Sequence, residues 1–448
     1  MKNFLFRSTL LALLNCTLIF SQTFNYPKPD EGNISGGFGL NWIDNKPHYR
    51  IGFQPEISFM NFGVGLDLIL DFESSGKLRK ENFNEFTDYL SIIRYIRYGM
   101  KDEPVYLRLG SLGYYSLGHG TIINNYNNSP TFDNRRIGLV SDINFGKFGF
   151  ESIYSSFGQA GIMGVRGYVL PIQFTSASNL PIISNLELGL TLISDFNSLA
   201  RVDSGFFDSK GEFKVVKDGG DVSFVGFDVG LPLIKSASTK ILLYFDYNKM
   251  MNFGSGIATG VQFNFNGLGL VSLSSKLERR INNGKYLPAY FNSLYEIERF
   301  KGNPTSNTYI TKVDLVNSIT ENQNGYYGEL LVRILNLFDV LGSYQRLDKA
   351  PSSGILNLRT SVEPENASFV FRAGYDKINI KDEKDLFKLD DRSYLFAELG
   401  YKPIEYILVS MIYNWTFTPI RDSNNNLIGF EPQKRIEPRI SFVYPIKF

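Results

Sequence analysis

The C-terminal stretch constrains the fold more than any other part of this sequence. From Ile440 every second residue is apolar (Ile440, Phe442, Tyr444, Ile446, Phe448), and Arg439, Ser441 and Lys447 fall among the intervening positions. Alternation with period two means a strand whose two faces meet different surroundings. The pattern repeats along the chain. Phe62, Val64, Leu66, Leu68, Leu70 and Phe72 share one face, with Gly63, Gly65, Asp67 and Asp71 on the other. Leu186 to Leu192 alternate with Glu187, Gly189 and Thr191, and Ile241, Leu243, Phe245 and Tyr247 stand opposite Asp246 and Asn248. Ile407, Val409, Met411, Tyr413, Trp415 and Phe417 face away from Ser410, Asn414 and Thr416.

Several such runs reach roughly 10–12 residues, the length of a tilted strand crossing a hydrocarbon layer, whereas strands in soluble sandwiches average nearer 5–6. Mean hydropathy is slightly negative and no long apolar run follows the N-terminus. A helical membrane protein is excluded by that combination. A membrane β-barrel is not, because only alternate residues face lipid.

Residues 1–21 read as a signal peptide: Lys2 and Arg7, then apolar Ser8 to Phe20, then Ser21-Gln22 for cleavage. The apolar stretch is about 13 residues, short of the roughly 20 a spanning helix needs. Lipidation at Cys16 is disfavoured by Asn15 before it and by the apolar run continuing past it. Cys16 is the only cysteine, so a mature chain from residue 22 has neither a disulfide nor a cysteine metal site. The formal charge of +1 argues against a nucleic-acid partner, and no cofactor or metal is expected.

Residues 22–448 read as one all-β domain, an antiparallel transmembrane barrel of about 20 strands (range 18–22) with short turns on one side and longer loops on the other. Short links near 60–63, 101–104, 145–147, 266–267, 363–366 and 402–404 fall on one side by parity. The stretches 74–85, 114–133, 197–220, 379–391 and 418–434 fall on the other. The count requires a strand over 290–300. No separate plug domain fits before the first strand near Ile34. An open lumen, loops that fill it, or a smaller count are the remaining choices.

Three groups of residues are candidates for function. The first is the segment 114–126, where Tyr114, Tyr115, His119, Asn124 and Tyr126 break the alternation. It reads as a constriction loop folded into the lumen, or as a cap outside it. The second is a set of charges on polar strand faces: Asp67, Asp71, Glu187, Asp228, Asp246, Lys312, Asp314, Glu329, Arg333, Arg372, Asp376, Glu398 and Arg439. Opposed rows of these would set up a transverse field selecting small polar solutes. The third is Ser116 with His119. Only one other histidine exists, His48, and no nucleophile-elbow motif is present, so catalysis is not expected. Gly36, Gly37 and Gly39 lie in a strand with no helix after it, which excludes a phosphate loop.

Taken over the whole mature chain, the alternation and the terminal aromatic strand resemble bacterial outer-membrane β-barrels. The composition, rich in Asn, Lys, Phe and Tyr, looks like that of Bacteroidetes-type bacteria. The resemblance implies that Phe448 serves as an assembly signal, that the barrel-assembly machinery and outer-membrane lipid are partners, and that the protein is exported to the outer membrane. No plug like that of TonB-dependent transporters is present. A channel or transporter for small solutes is the leading expectation, with a non-conducting scaffold for secretion or surface attachment as the alternative. A greasy pocket like that of long-chain fatty-acid channels would need Ile69, Ile193 and Phe224.

Overall fold

Every strand of the main sheet pairs antiparallel with the next, and the last pairs with the first, so the sheet closes on itself. A computed structural model describes residues 27, 29–80, 83, 86–101, 103–267, 270–335, 337–350, 352–362 and 368–447. The expected signal peptide, Cys16 and Phe448 lie outside these residues.

The barrel strands are β1 (Glu31–Ile43), β2 (Lys46–Phe53 with Glu56–Phe59), β3 (Phe62–Leu66 with Leu68–Glu73), β4 (Ile93–Tyr98), β5 (Val105–Gly110), β6 (Gly138–Asn144), β7 (Phe148–Tyr154), β8 (Ile162–Val169), β9 (Glu187–Asp195) and β10 (Val222–Lys235). They continue as β11 (Thr239–Met250), β12 (Ser255–Gly267), β13 (Val271–Asn282), β14 (Gln323–Ile334), β15 (Phe338–Leu347), β16 (Gly354–Val362), β17 (Phe369–Ile380), β18 (Ser393–Ile404), β19 (Ile407–Arg421) and β20 (Leu427–Lys447). The sheet has 22 segments because β2 and β3 are each interrupted once. Pro55 sits in the gap of β2, where a residue without an N–H leaves the ladder short of a donor. Register is the same on both sides of the gap (Phe53 opposite Leu68, Ile57 opposite Val64), so these segments are two strands and the barrel has 20.

The closing pair, β1 with β20, sets Glu31 opposite Lys447, which puts both ends of the barrel at one rim. At this terminal rim the links are short, among them 60–61, 145–147, 236–238 and 405–406. The exception is 170–186, which makes three 3₁₀ turns. The opposite, loop rim carries 74–92, 111–137, 196–221, 283–322 and 381–392. The outward face is apolar, with Leu190, Leu192, Phe227, Leu243, Leu277, Leu330, Leu399, Val409, Met411, Ile440 and Phe442 exposed. No water-soluble barrel can leave such a belt uncovered, and a bilayer covers it.

The inside is packed. Links 111–137 and 283–322 turn back into the barrel and bury Leu112, Tyr115, Ile122, Ile123, Tyr126, Tyr286, Tyr290, Phe291 and Tyr295 against inward Ile153, Ile193 and Phe224 of the wall. A short bridge joins Tyr115 to Tyr126, and another joins Ile123 to Phe291, so the two links pair with each other.

This corrects three expectations. Residues 290–300 form no barrel strand: they lie within the second infolded link and include a helical turn, Tyr295–Glu298. Lys312 and Asp314 belong to a short helix, Lys312–Asn317, instead of a strand face. Phe417 does not stay on the outward face that the alternation gave it with Met411, Tyr413 and Trp415: it is fully buried against Ala289, Leu294 and Ile297. Ile193 and Phe224 face inward as the alternation requires, but side chains of the links fill the space before them.

Candidate functional site

The tip of the first infolded link carries the residues singled out from the sequence. Tyr115 and Tyr126 exchange backbone hydrogen bonds of 2.9 and 2.8 Å, which closes residues 115–126 into a small loop. The Ser116 hydroxyl donates to Asn124 Oδ1 at 3.1 Å and accepts from the Asn125 N–H at 2.9 Å. Gly118 and Gly120 both have positive φ, a backbone that suits glycine at this tight turn.

The barrel wall holds this tip by polar contacts from many strands. Glu151 of β7 accepts from the Gly118 N–H at 2.9 Å. The Thr121 hydroxyl donates to Asp246 of β11, and Asn248 donates back to it at 2.9 Å. Lys276 of β13 donates to the His119 carbonyl. The His119 ring stacks on Tyr244 with centroids 4.3 Å apart, and its Nε2 lies 3.4 Å from Asp228. Farther along, Tyr115 Oη reaches Asp142 at 3.3 Å, Tyr126 Oη donates to Glu296 at 2.6 Å, and the Tyr114 ring lies under the Arg359 guanidinium at 3.9 Å. Each bond is modest in net terms, about 0.5–1.5 kcal/mol, so the tip is fastened by their number.

Ser116 and His119 are not partners in this arrangement. The hydroxyl is engaged by Asn124 and Asn125, and the imidazole by Asp228 and Tyr244. The geometry a serine nucleophile needs is missing.

Beneath the tip lies a cavity of about 540 Å³ that reaches the terminal rim. Ser116, Gly118, His119, Gly120 and Asn124 form its roof. Asp142, Glu151 and Lys101 stand on one wall, and Lys235, Lys240, Gln262, Asn264, Lys276 and Glu329 on the other. A smaller cavity, about 250 Å³, lies near the β1–β20 closure and includes Arg50, Arg94, Arg372, Glu398, Glu437 and Arg439.

Of the charges proposed for the lumen, Lys312 and Asp314 lie on the infolded helix, where Lys312 pairs with Glu298 and Asp314 caps the helix by accepting from Thr311. The others sit on inward strand faces or in breaks between them, and all of those but Asp246 and Glu329 are ion-paired. Asp67 pairs with Arg135 at 3.2 Å, and Asp71 with Arg50 at 2.7 Å. Glu187 and Asp228 share Arg166, each at 2.6 Å, and Glu151 joins them at 3.0 Å. Arg333 pairs with Asp339 at 2.8 Å, Arg372 with Glu398 at 3.0 Å, Arg359 with Asp376 at 2.7 Å, and Arg439 with Glu437 at 2.5 Å. Asp246 holds Thr121, and Glu329 accepts from Tyr327 Oη at 2.5 Å. Most of these partners are neighbours along or between adjacent strands. The arrangement is a set of local clusters on the wall rather than opposed rows across an open bore.

Sequence reasoning missed several residues that matter more. Arg166 organises three carboxylates, and Lys276, Glu278 and Arg280 form a buried run on β13. Their signal was available, since Lys276, Glu278 and Arg280 alternate with Leu277 and Arg279 in the same way as the strands already recognised.

No family model matches the chain, and no curated protein matches it in sequence. Among solved structures it is similar to outer-membrane barrels. OccK11 (OpdR) of Pseudomonas aeruginosa matches at TM-score 0.30 and 11% identity over 96% of this chain and 100% of that one. OccK5 (OpdH) of the same species gives 0.33 and 11% over 93% and 98%. Wzi of Escherichia coli, described as a carbohydrate-binding barrel involved in capsule assembly, gives 0.34 and 10% over 94% and 85%. Nothing about the solute of this chain follows from likeness at that level.

Proposed function

We propose that this protein is an outer-membrane channel for small polar solutes, closed in this conformation, with the loop rim outward and the terminal rim in the periplasm. The observation that carries the reading is the cavity of about 540 Å³ that reaches the terminal rim and ends at the 116–124 tip. Its lining mixes lysines, carboxylates and amides with apolar side chains such as Phe150, Ile241 and Leu242, which suits a small solute with polar groups on a carbon frame. Its roof is a loop held by side-chain hydrogen bonds, an element that can move without breaking the sheet.

A second reading has its own support. The buried core that the two links form with the wall is what a permanently filled barrel would have, and it favours a non-conducting scaffold. Planar-bilayer recording on the refolded chain separates the two. The intact protein should give small or infrequent steps, and a variant with 116–124 replaced by a Gly-Ser linker should give large, stable ones. A correctly folded linker variant that stays silent would establish the scaffold reading instead.

A further inference from the structure

The wall of the vestibule opposite Asp142 has an imbalance of charge that the fold goes out of its way to create. Along β10 the inward positions are even-numbered, with Phe224 and Asp228 among them. A β-bulge at Leu233 shifts the register, so that Pro232 stands opposite Leu242 but Ile234 stands opposite Ile241. Beyond the bulge the inward positions are odd-numbered, and Lys235 turns into the lumen directly opposite Lys240. Bulges commonly re-aim a side chain in this way. Without it Lys235 would face outward.

Two lysines directly opposite each other on adjacent strands repel. Neither takes part in an ion pair among the described residues, unlike Lys101 and Lys276 of the same cavity. The next residue in the row is Asn264, in register with Lys240; it is nine-tenths buried and its Oδ1 has no hydrogen-bond partner. One row deeper, Gln262 stands in register with Lys276. The wall thus presents two exposed lysines outside any ion pair at the mouth and amides behind them, with Glu329 in register with Lys276 deeper in and Glu103 also lining the cavity.

We propose that this wall binds the carboxylate of a small hydroxylated acid, a sugar acid in size and chemistry. The lysine pair takes the carboxylate, with charge-assisted hydrogen bonds that relieve the repulsion between the lysines. Asn264 and Gln262 meet hydroxyl groups, which both donate and accept. This inference rests on the channel reading and names its solute by class.

Isothermal titration of the full mature chain in nanodiscs tests it, with D-gluconate as probe and sorbitol as its neutral counterpart. Gluconate should bind and sorbitol should not. The K235Q/K240Q double variant should lose at least about tenfold in gluconate affinity, the scale of one charge-assisted contact, and Lys349→Gln at the loop rim should lose none. In the unmodified protein, gluconate should protect Lys240 from a water-soluble amine-acylating reagent, and sorbitol should not. Equal affinity for the two probes, undetectable gluconate binding, or an unchanged double variant without protection of Lys240 would each overturn the proposal. Bilayer recording on the same preparation keeps the two readings apart. Gluconate binding without conductance would sink the channel and leave the site, and conductance without gluconate binding would do the reverse.

Discussion

At the scale of single residues, the charges inside this barrel are arranged as clasps. Glu296 accepts from Arg136, from Arg299 and from Tyr126, so one carboxylate ties the second infolded link to the first. Removing one partner of a buried pair costs about 3–5 kcal/mol because the remaining charges are left uncompensated. Glu296→Ala should therefore loosen the links before it loosens the barrel. Limited proteolysis should cut within 283–322 in the variant while heat-modifiability of the barrel persists; an uncut variant would show that the clasp is dispensable.

A second clasp lies in the loop between β17 and β18. Burial would raise the Asp390 carboxyl, but hydrogen bonds from Lys377 and Arg392 outweigh that and hold it at about 2, below the ordinary 3.8. A depressed carboxylate contributes stability that is fully present above its unfolded pKa and is lost as pH falls through the folded one. Trp415 Nε1 donates to the Asp390 carbonyl at 3.0 Å, which makes its fluorescence a local reporter in a Trp42→Phe background. The signal should hold steady down to about pH 4 and change with a midpoint near 2. A midpoint near 4 would mean that the carboxyl is not held down.

At the scale of elements, strands and links differ in how plainly the sequence announces them. Alternation is a contrast between two solvents, so β9, β11, β19 and β20 could be read directly from Leu190, Phe245, Met411 and Phe442. Residues 290–300 could not. They are surrounded by protein on every side, and a segment with no second solvent has no period to display; only the strand count asked for a strand there. Lys235 was missed for a related reason, because one inserted residue reverses the parity on which the facing argument depends. The tip at 114–126 was visible as a break in alternation, but its attachment to Asp228, Asp246 and Lys276 needed the closed sheet. That attachment makes a prediction. Thr121→Val removes the bonds to Asp246 and Asn248 and leaves a buried carboxylate short of a partner, at about 1–3 kcal/mol. Amide hydrogen exchange across 117–124 should speed up about 5- to 150-fold, with the β11 amides unchanged. Exchange that speeds up equally in both would mean that tip and wall open as one unit.

At the scale of the molecule, the barrel is inverted relative to a soluble protein, with apolar side chains on the outside and a second, smaller core within. The outer surface answers to the lipid. Leu192 is exposed on β9, and an arginine there should cost about 2–4 kcal/mol if it lies near the bilayer midplane. Urea unfolding into and out of vesicles should show that loss, and unfolding in short-chain detergent should show much less. Equal losses in the two media would place Leu192 outside the membrane belt.

The inner core also dictates an order of events during biogenesis. Asp133, on the first infolded link, is held by Arg435 of the final strand, and Arg50 near the beginning of the chain is held by Glu437 near its end. These contacts span 302 and 387 residues, so neither can exist until the last strand has arrived. The aromatic core between the two links and the wall of β7, β9 and β10 uses no residue of the final strand, so it has partners before closure, whereas the ion pairs that tie it to the seam do not. The seam is therefore the last latch: the strand that closes the circumference also locks a centre already in place.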